Sequence, residues 1–188
     1  MLWNVFFTFW AKRRSNNRSA AEVYQMLVKA SRDPFLFEVV GVPDSPQGRF
    51  ESVILHMFLL QRRLREAKSS EVLAQTLMDK MADDLDRSIR EMGVGDLSVG
   101  KNVKDLLKMV HQRFRLYESG FDSVQGMADA LGTVFVSGSA AQESTDIDLL
   151  EMYLTNFTQN LADYQISDIE TASFSLPPFR RSDLSKNV

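Results

Sequence analysis

The chain has 188 residues, 44% of them apolar, 25% charged and 10% aromatic, a composition that fits one globular domain and excludes collagen-like and fully disordered classes. Cysteine is absent, which removes disulfides, thiolate metal sites and cysteine nucleophiles, and two histidines (His56 and His111) are too few for a three-imidazole zinc centre. The net charge of −3 conceals a gradient: residues 1–32 carry Lys12, Arg13, Arg14, Arg18, Lys29 and Arg32 against Glu22, whereas residues 143–188 carry eight acids against three bases.

A basic start on an acidic body suits a chain that presents one end to an anionic surface, and no nucleic acid wrapped over the whole molecule is expected. Residues 1–11 read MLWNVFFTFWA, and Lys12-Arg13-Arg14 follows directly. The run is too short to cross a bilayer, which takes about 20 residues. Its charges follow the apolar stretch where a secretory signal would place them before it, and no arginine precedes Arg13 as a transit peptide would require. In a helix Trp3, Phe6, Phe7 and Trp10 share one side. Residues 1–18 are therefore expected to lie on a membrane surface, with the aromatics at the acyl boundary and Lys12, Arg13 and Arg14 at anionic headgroups. The same side also suits a terminal helix docked into the protein's own core or a partner's groove.

Helices separated by clear punctuation follow. Ser19 to Glu22 has the spacing of a capping box, predicting a helix over about 20–31 that stops before Asp33-Pro34. Residues 41–49, GVPDSPQGR, predict a loop. From Phe50 the apolar residues Val53, Ile54, Met57, Leu60 and Leu64 recur at helical period, with Leu55, Phe58 and Leu59 on other sides, so this helix belongs at the centre. A third helix is expected over 70–92, with Leu77, Met81, Leu85 and Ile89 inward, Asp79, Asp83, Asp86 and Arg90 outward, and Gly93-Val94-Gly95 ending it. Ser98 is read as the cap of the next, with Val103, Leu106, Leu107, Val110, Phe114 and Tyr117 as its stripe. Asp122 opens another through Val124, Met127, Ala128, Leu131 and Phe135, and the β-prone run Thr133–Val136 fits its end. Thr145 to Asp148 reads as a second capping box, with Ile147, Leu150, Leu154, Phe157 and Leu161 inward. No period-2 strand is found. The fold class is thus all-α: a single-domain bundle of about six helices over 19–165, and a loosely held polar tail over 166–188.

Motifs for chemistry are weak. Gly95 to Asn102 matches GxxxxGK but lacks the hydroxyl that would hold magnesium, and a helix precedes it where a phosphate loop needs a strand. Asp84 to Ser88 resembles the opening of a calcium loop, yet Ile89 stands where glycine is required and Gly95 where glutamate is required. Neither histidine has a glutamate three residues before it, as di-iron bundles demand. No serine lies in a GxSxG elbow. An enzyme would need a pocket where His56, Arg63 and an acid converge; otherwise no catalytic residue, metal or cofactor is expected. Asp44 and Arg49 are expected to fix the geometry of the 41–49 loop, and His56 with Arg63 to form an exposed flank for a partner. The nine methionines sit mostly on inward stripes, where core filling accounts for them.

At this point residues 41–65, GVPDSPQGRFESVILHMFLLQRRLR, carry a resemblance. They are similar to the signature of the ubiquinol–cytochrome c chaperone family in its bacterial form. Asp83 to Arg87, Glu91 to Lys101 and the helix to Tyr117-Glu118 resemble that family's second block. The resemblance covers roughly residues 20–165. It implies an all-helical, non-catalytic assembly factor for the cytochrome bc1 complex, without a cofactor. It implies newly made cytochrome b as client, a second, smaller assembly factor as partner and, in mitochondrial members, a ribosome contact near the exit. The location implied is peripheral, on the cytoplasmic face of the bacterial inner membrane, with no cleaved secretory signal. A general helical adaptor or lipid-binding module is the alternative reading.

Overall fold

The densest apolar run of the chain lies in one helix, α3 (Pro46–Arg65), where Ile54, Leu55, Met57, Phe58, Leu59, Leu60 and Leu64 are all buried. A helix apolar on nearly every side is stable only when neighbours cover it all round. Here α4 (Glu71–Glu91), α5 (Asp96–Phe121) and α7 (Ile147–Ala162) do so. The structure, a computed structural model, describes residues 17–66, 70–121, 126–136 and 145–180. Ahead of α3 come α1 (residues 17–30) and α2 (Pro34–Glu38). After α5 comes α6 (Gly126–Leu131), which runs on as a π-helical turn, Gly132–Val136, and the short α8 (Ile166–Glu170) follows α7. This is the expected all-α bundle, and no strand occurs among the described residues.

The inward stripes fall largely as periodicity predicts. Leu77, Met81 and Ile89 of α4, Val110 and Tyr117 of α5, and Leu150, Leu154, Phe157 and Leu161 of α7 are buried. Leu85, Phe114 and Ile147 are half-buried against the core. Gly93, at φ +80°, ends α4 as expected, its N–H donating to the Arg90 carbonyl at 2.9 Å. The GxxxxGK run is a helix-to-helix turn, and the calcium-like run lies within α4.

Helix starts are where the sequence reading needs correction. α1 is already helical at residue 17, so Ser19 caps nothing. Glu22 instead pairs with Arg18 at 3.1 Å, four residues back, and the expected boundary at residue 18 falls inside the helix. The loop after α2 ends at Ser45, whose side chain accepts from the Gly48 N–H at 3.1 Å, with Pro46 at the first helical position. Gln47, Gly48 and Arg49 are therefore helical. α5 begins at Asp96, and the Ser98 N–H donates to the Gly95 carbonyl at 2.8 Å within its first turn. Asp146, not Thr145, caps α7 by accepting from the Leu149 N–H at 3.0 Å. The Thr145 hydroxyl donates to the Gly41 carbonyl at 3.1 Å, tying the loop before α3 to the start of α7. Asp122 and Val124 lie outside the described residues.

The first part of the expected tail, residues 166–180, packs on the bundle. Ile169, Phe174 and Phe179 are buried, so residues 166–180 strap onto the bundle. Three apolar anchors spaced along a polar stretch hold a segment whose average composition reads as tail. Residues 181–188 lie outside the described residues.

Candidate functional site

His56 and Arg63 do not form the exposed flank expected of them. His56 is 0% exposed. Its Nδ1 lies 2.7 Å from the Ser52 carbonyl, which can only accept, so the proton sits on Nδ1 and Nε2 accepts from the Tyr153 hydroxyl at 2.8 Å. Phe157 stands edge-on at 4.8 Å between ring centroids. Burial pushes the imidazole pKa down to about 4, against a small opposing effect of the Ser52 hydrogen bond, so the ring is neutral at physiological pH. Arg63 reaches the other way. Its guanidinium donates to the Leu161 carbonyl at 3.3 Å and the Tyr164 carbonyl at 2.9 Å, closing the C-terminus of α7, and pairs with Glu66 at 2.5 Å. The two side chains clamp α3 to α7.

Asp44 and Arg49 do meet. The pair spans the turn into α3 at 2.5 Å with both side chains more than half exposed. The Arg49 guanidinium holds the Asp44 carboxyl below the usual carboxylate range, chiefly through the hydrogen bond. Beside them Gly48 is pressed against Pro43, where a Cβ would come 2.0 Å from the carbonyl oxygen. The loop is thus shaped by Gly48, Pro46 and the Ser45 cap as well as by the ion pair. Trp3, Phe6, Phe7, Trp10, Lys12, Arg13 and Arg14 lie outside the described residues.

Sequence reasoning missed a cleft of about 750 Å³ between α1, α4 and residues 176–178. Its walls carry both signs of charge, from Lys80, Asp83, Asp84 and Arg87 on α4 to Lys29 and Arg32 at the end of α1. Asp84 accepts from the Tyr24 hydroxyl at 3.2 Å, and burial together with that carboxylate pushes the phenol pKa up. The acidic side of α4, read from sequence as solvated or partner-facing, is in part a cleft wall. A partner 60 residues away leaves no local sequence signal. Among the described residues no cluster of three or more His, Cys, Asp or Glu could hold a metal.

The model of the family described as ubiquinol-cytochrome C chaperone matches residues 38–176. The chain belongs to that family. The match runs from the end of α2 into the strap after α8, so it takes in α3 to α8 and the first residues of the segment that composition alone reads as tail. The crystal structure of the Cbp3 homolog from Brucella abortus is similar in fold, with a TM-score of 0.77 and 28% identity. That likeness covers 92% of this chain and 96% of that one. Comparison with curated proteins gives no match. The resemblance carried by residues 41–65 and 83–118 therefore holds, and the role of the chain is that of a ubiquinol–cytochrome c chaperone. No helix among the described residues is long and apolar enough to cross a membrane.

Proposed function

We propose that the chain is a non-catalytic chaperone that binds newly made cytochrome b at the membrane surface during assembly of the cytochrome bc1 complex. The observation that carries this reading is the family match over residues 38–176, which includes the central helix α3 and every helix packed on it after α2. The exposed Asp44–Arg49 pair at the mouth of α3 is a contact for the client or for a second assembly factor. Residues 1–14 supply the membrane contact, through Trp3, Phe6, Phe7 and Trp10 with Lys12, Arg13 and Arg14. The cytoplasmic face of the inner membrane is the location this implies.

The test is crosslinking in native membranes followed by identification of what is attached, beside deletion of the gene. Cytochrome b in the adduct and loss of the bc1 complex on deletion are expected. Attachment to many unrelated proteins with the complex intact would replace this reading with that of a general helical adaptor.

A further inference from the structure

The outer face of α5 has a pattern that core packing does not use. Leu97, Lys101, Lys104, Lys108, His111 and Arg115 recur at alternating steps of four and three, which aligns them on one side of the helix. At about 1.5 Å per residue the line is about 27 Å long, and all six residues are exposed. Leu97 at its head is 102% exposed, and Met92, across the Gly93–Gly95 turn, is 72% exposed. Val103 and Leu107 border the line above a shallow depression of about 510 Å³.

Charge on this face runs against the sign of the whole chain. Asp105 beside the line pairs with Lys108 at 2.8 Å, and Asp96 at its head pairs with Arg90 at 2.5 Å. Lys101, Lys104 and Arg115 enter no salt bridge among the described residues. Four basic side chains in register, on a protein of net charge −3, therefore present one cationic strip to solvent.

We propose that this strip is a lipid-contacting surface, lying along an anionic bilayer with Leu97 and Met92 entering the interface. The inference deepens the membrane-surface reading above and rests on it. Basic side chains beside exposed apolar ones match the chemistry of an anionic headgroup layer over acyl chains. The His111 imidazole is the one ring of the strip that could stack on a nucleobase, whereas the exposed Leu97 and Met92 at its head suit acyl chains, which favours lipid over nucleic acid. Lys101, Lys104 and Lys108 have stems long enough to keep their ammonium groups at the headgroups while Leu97 sits deeper.

The test is flotation of the full chain with phosphatidylcholine vesicles, with and without phosphatidylglycerol. One variant carries K101Q, K104Q, K108Q and R115Q; a second carries K101R, K104R and K108R; a third carries M92S and L97S. Each basic residue near an anionic surface contributes about a fivefold gain in partitioning. The glutamine variant should lose tenfold or more on the anionic vesicles and be unchanged on the neutral ones. The arginine variant should float as the parent does, and the M92S/L97S variant should weaken on both. A glutamine variant that floats as well as the parent overturns the strip and leaves the membrane reading standing. A parent chain that floats on neither vesicle overturns both. Loss of ribosomal RNA binding in the glutamine variant, with flotation intact, would make the strip a nucleic-acid surface instead.

Discussion

The Asp33 carboxylate accepts a hydrogen bond from the Phe179 backbone N–H at 2.7 Å, although the two residues are 146 positions apart. Its other oxygen accepts from the Phe35 N–H at 3.0 Å, capping α2. Phe179 in turn packs on Phe35 at 4.6 Å and on Tyr153 at 5.4 Å between ring centroids. One carboxylate thus starts a helix and fastens the strap onto the bundle.

Removing that carboxylate should free the strap. Asp33→Ala loses a cap and a charge-assisted hydrogen bond and leaves buried N–H groups unpaired, a loss of about 3 kcal/mol. Limited proteolysis should then cut within 173–180, where the parent resists. A parent-like digestion pattern would mean that the aromatic contacts alone hold the strap.

His56 makes stability depend on pH. Its ring titrates near 6.5 when unfolded and near 4 when folded, because burial disfavours the charged form. Between those values the unfolded chain binds the extra proton. The contribution is therefore complete above pH 6.5 and is lost as pH falls toward 4. At pH 5 the loss is about 2 kcal/mol. Urea midpoints at pH 7 and pH 5 should converge for His56→Gln relative to the parent, and an equal drop in both proteins would assign the effect to other groups.

Glu51, buried on α3, pairs with the half-buried Arg113 of α5. The guanidinium reaches both carboxylate oxygens, at 2.8 and 3.0 Å, and Glu51 is 1% exposed. Arg113→Met strands a buried carboxylate and should cost about 3–5 kcal/mol, whereas the double change Glu51→Leu with Arg113→Met should recover most of it. Guanidinium denaturation of the two variants measures the difference. Equal losses in both would deny the coupling.

Two glycines should respond with opposite signs. A Cβ at Gly48 meets the Pro43 carbonyl oxygen at 2.0 Å, so Gly48→Ala must displace backbone and should cost about 1–3 kcal/mol. Gly100, inside α5, has nothing within 4 Å of an added Cβ, and Gly100→Ala should gain about 0.5–1 kcal/mol from helix propensity. Thermal melts of the two variants read the signs directly, and a drop in melting temperature for Gly100→Ala would show that this glycine has a role beyond backbone freedom.

Periodicity and glycine–proline punctuation alone determined the all-α class, the central place of α3, the inward stripes of α4 and α7, and the turn at Gly93. Each of these follows from residues within a few positions of one another. The helix starts were less legible, because Ser19, Ser98 and Thr145 have the right side chains but neighbours compete: Arg18 takes Glu22, Asp96 opens α5, and Asp146 caps α7. The family was legible in residues 41–65 and 83–118.

Only the tertiary structure decided what each polar side chain touches. Its packing turned His56 toward Tyr153, Arg63 toward the end of α7, Glu51 toward Arg113 and Asp33 toward Phe179. The partners lie from 62 to 146 residues away along the chain. Hydrophobic period tells which side of a helix faces inward, because that depends on local spacing. It cannot tell which buried polar group will answer another, because that depends on how the helices come together.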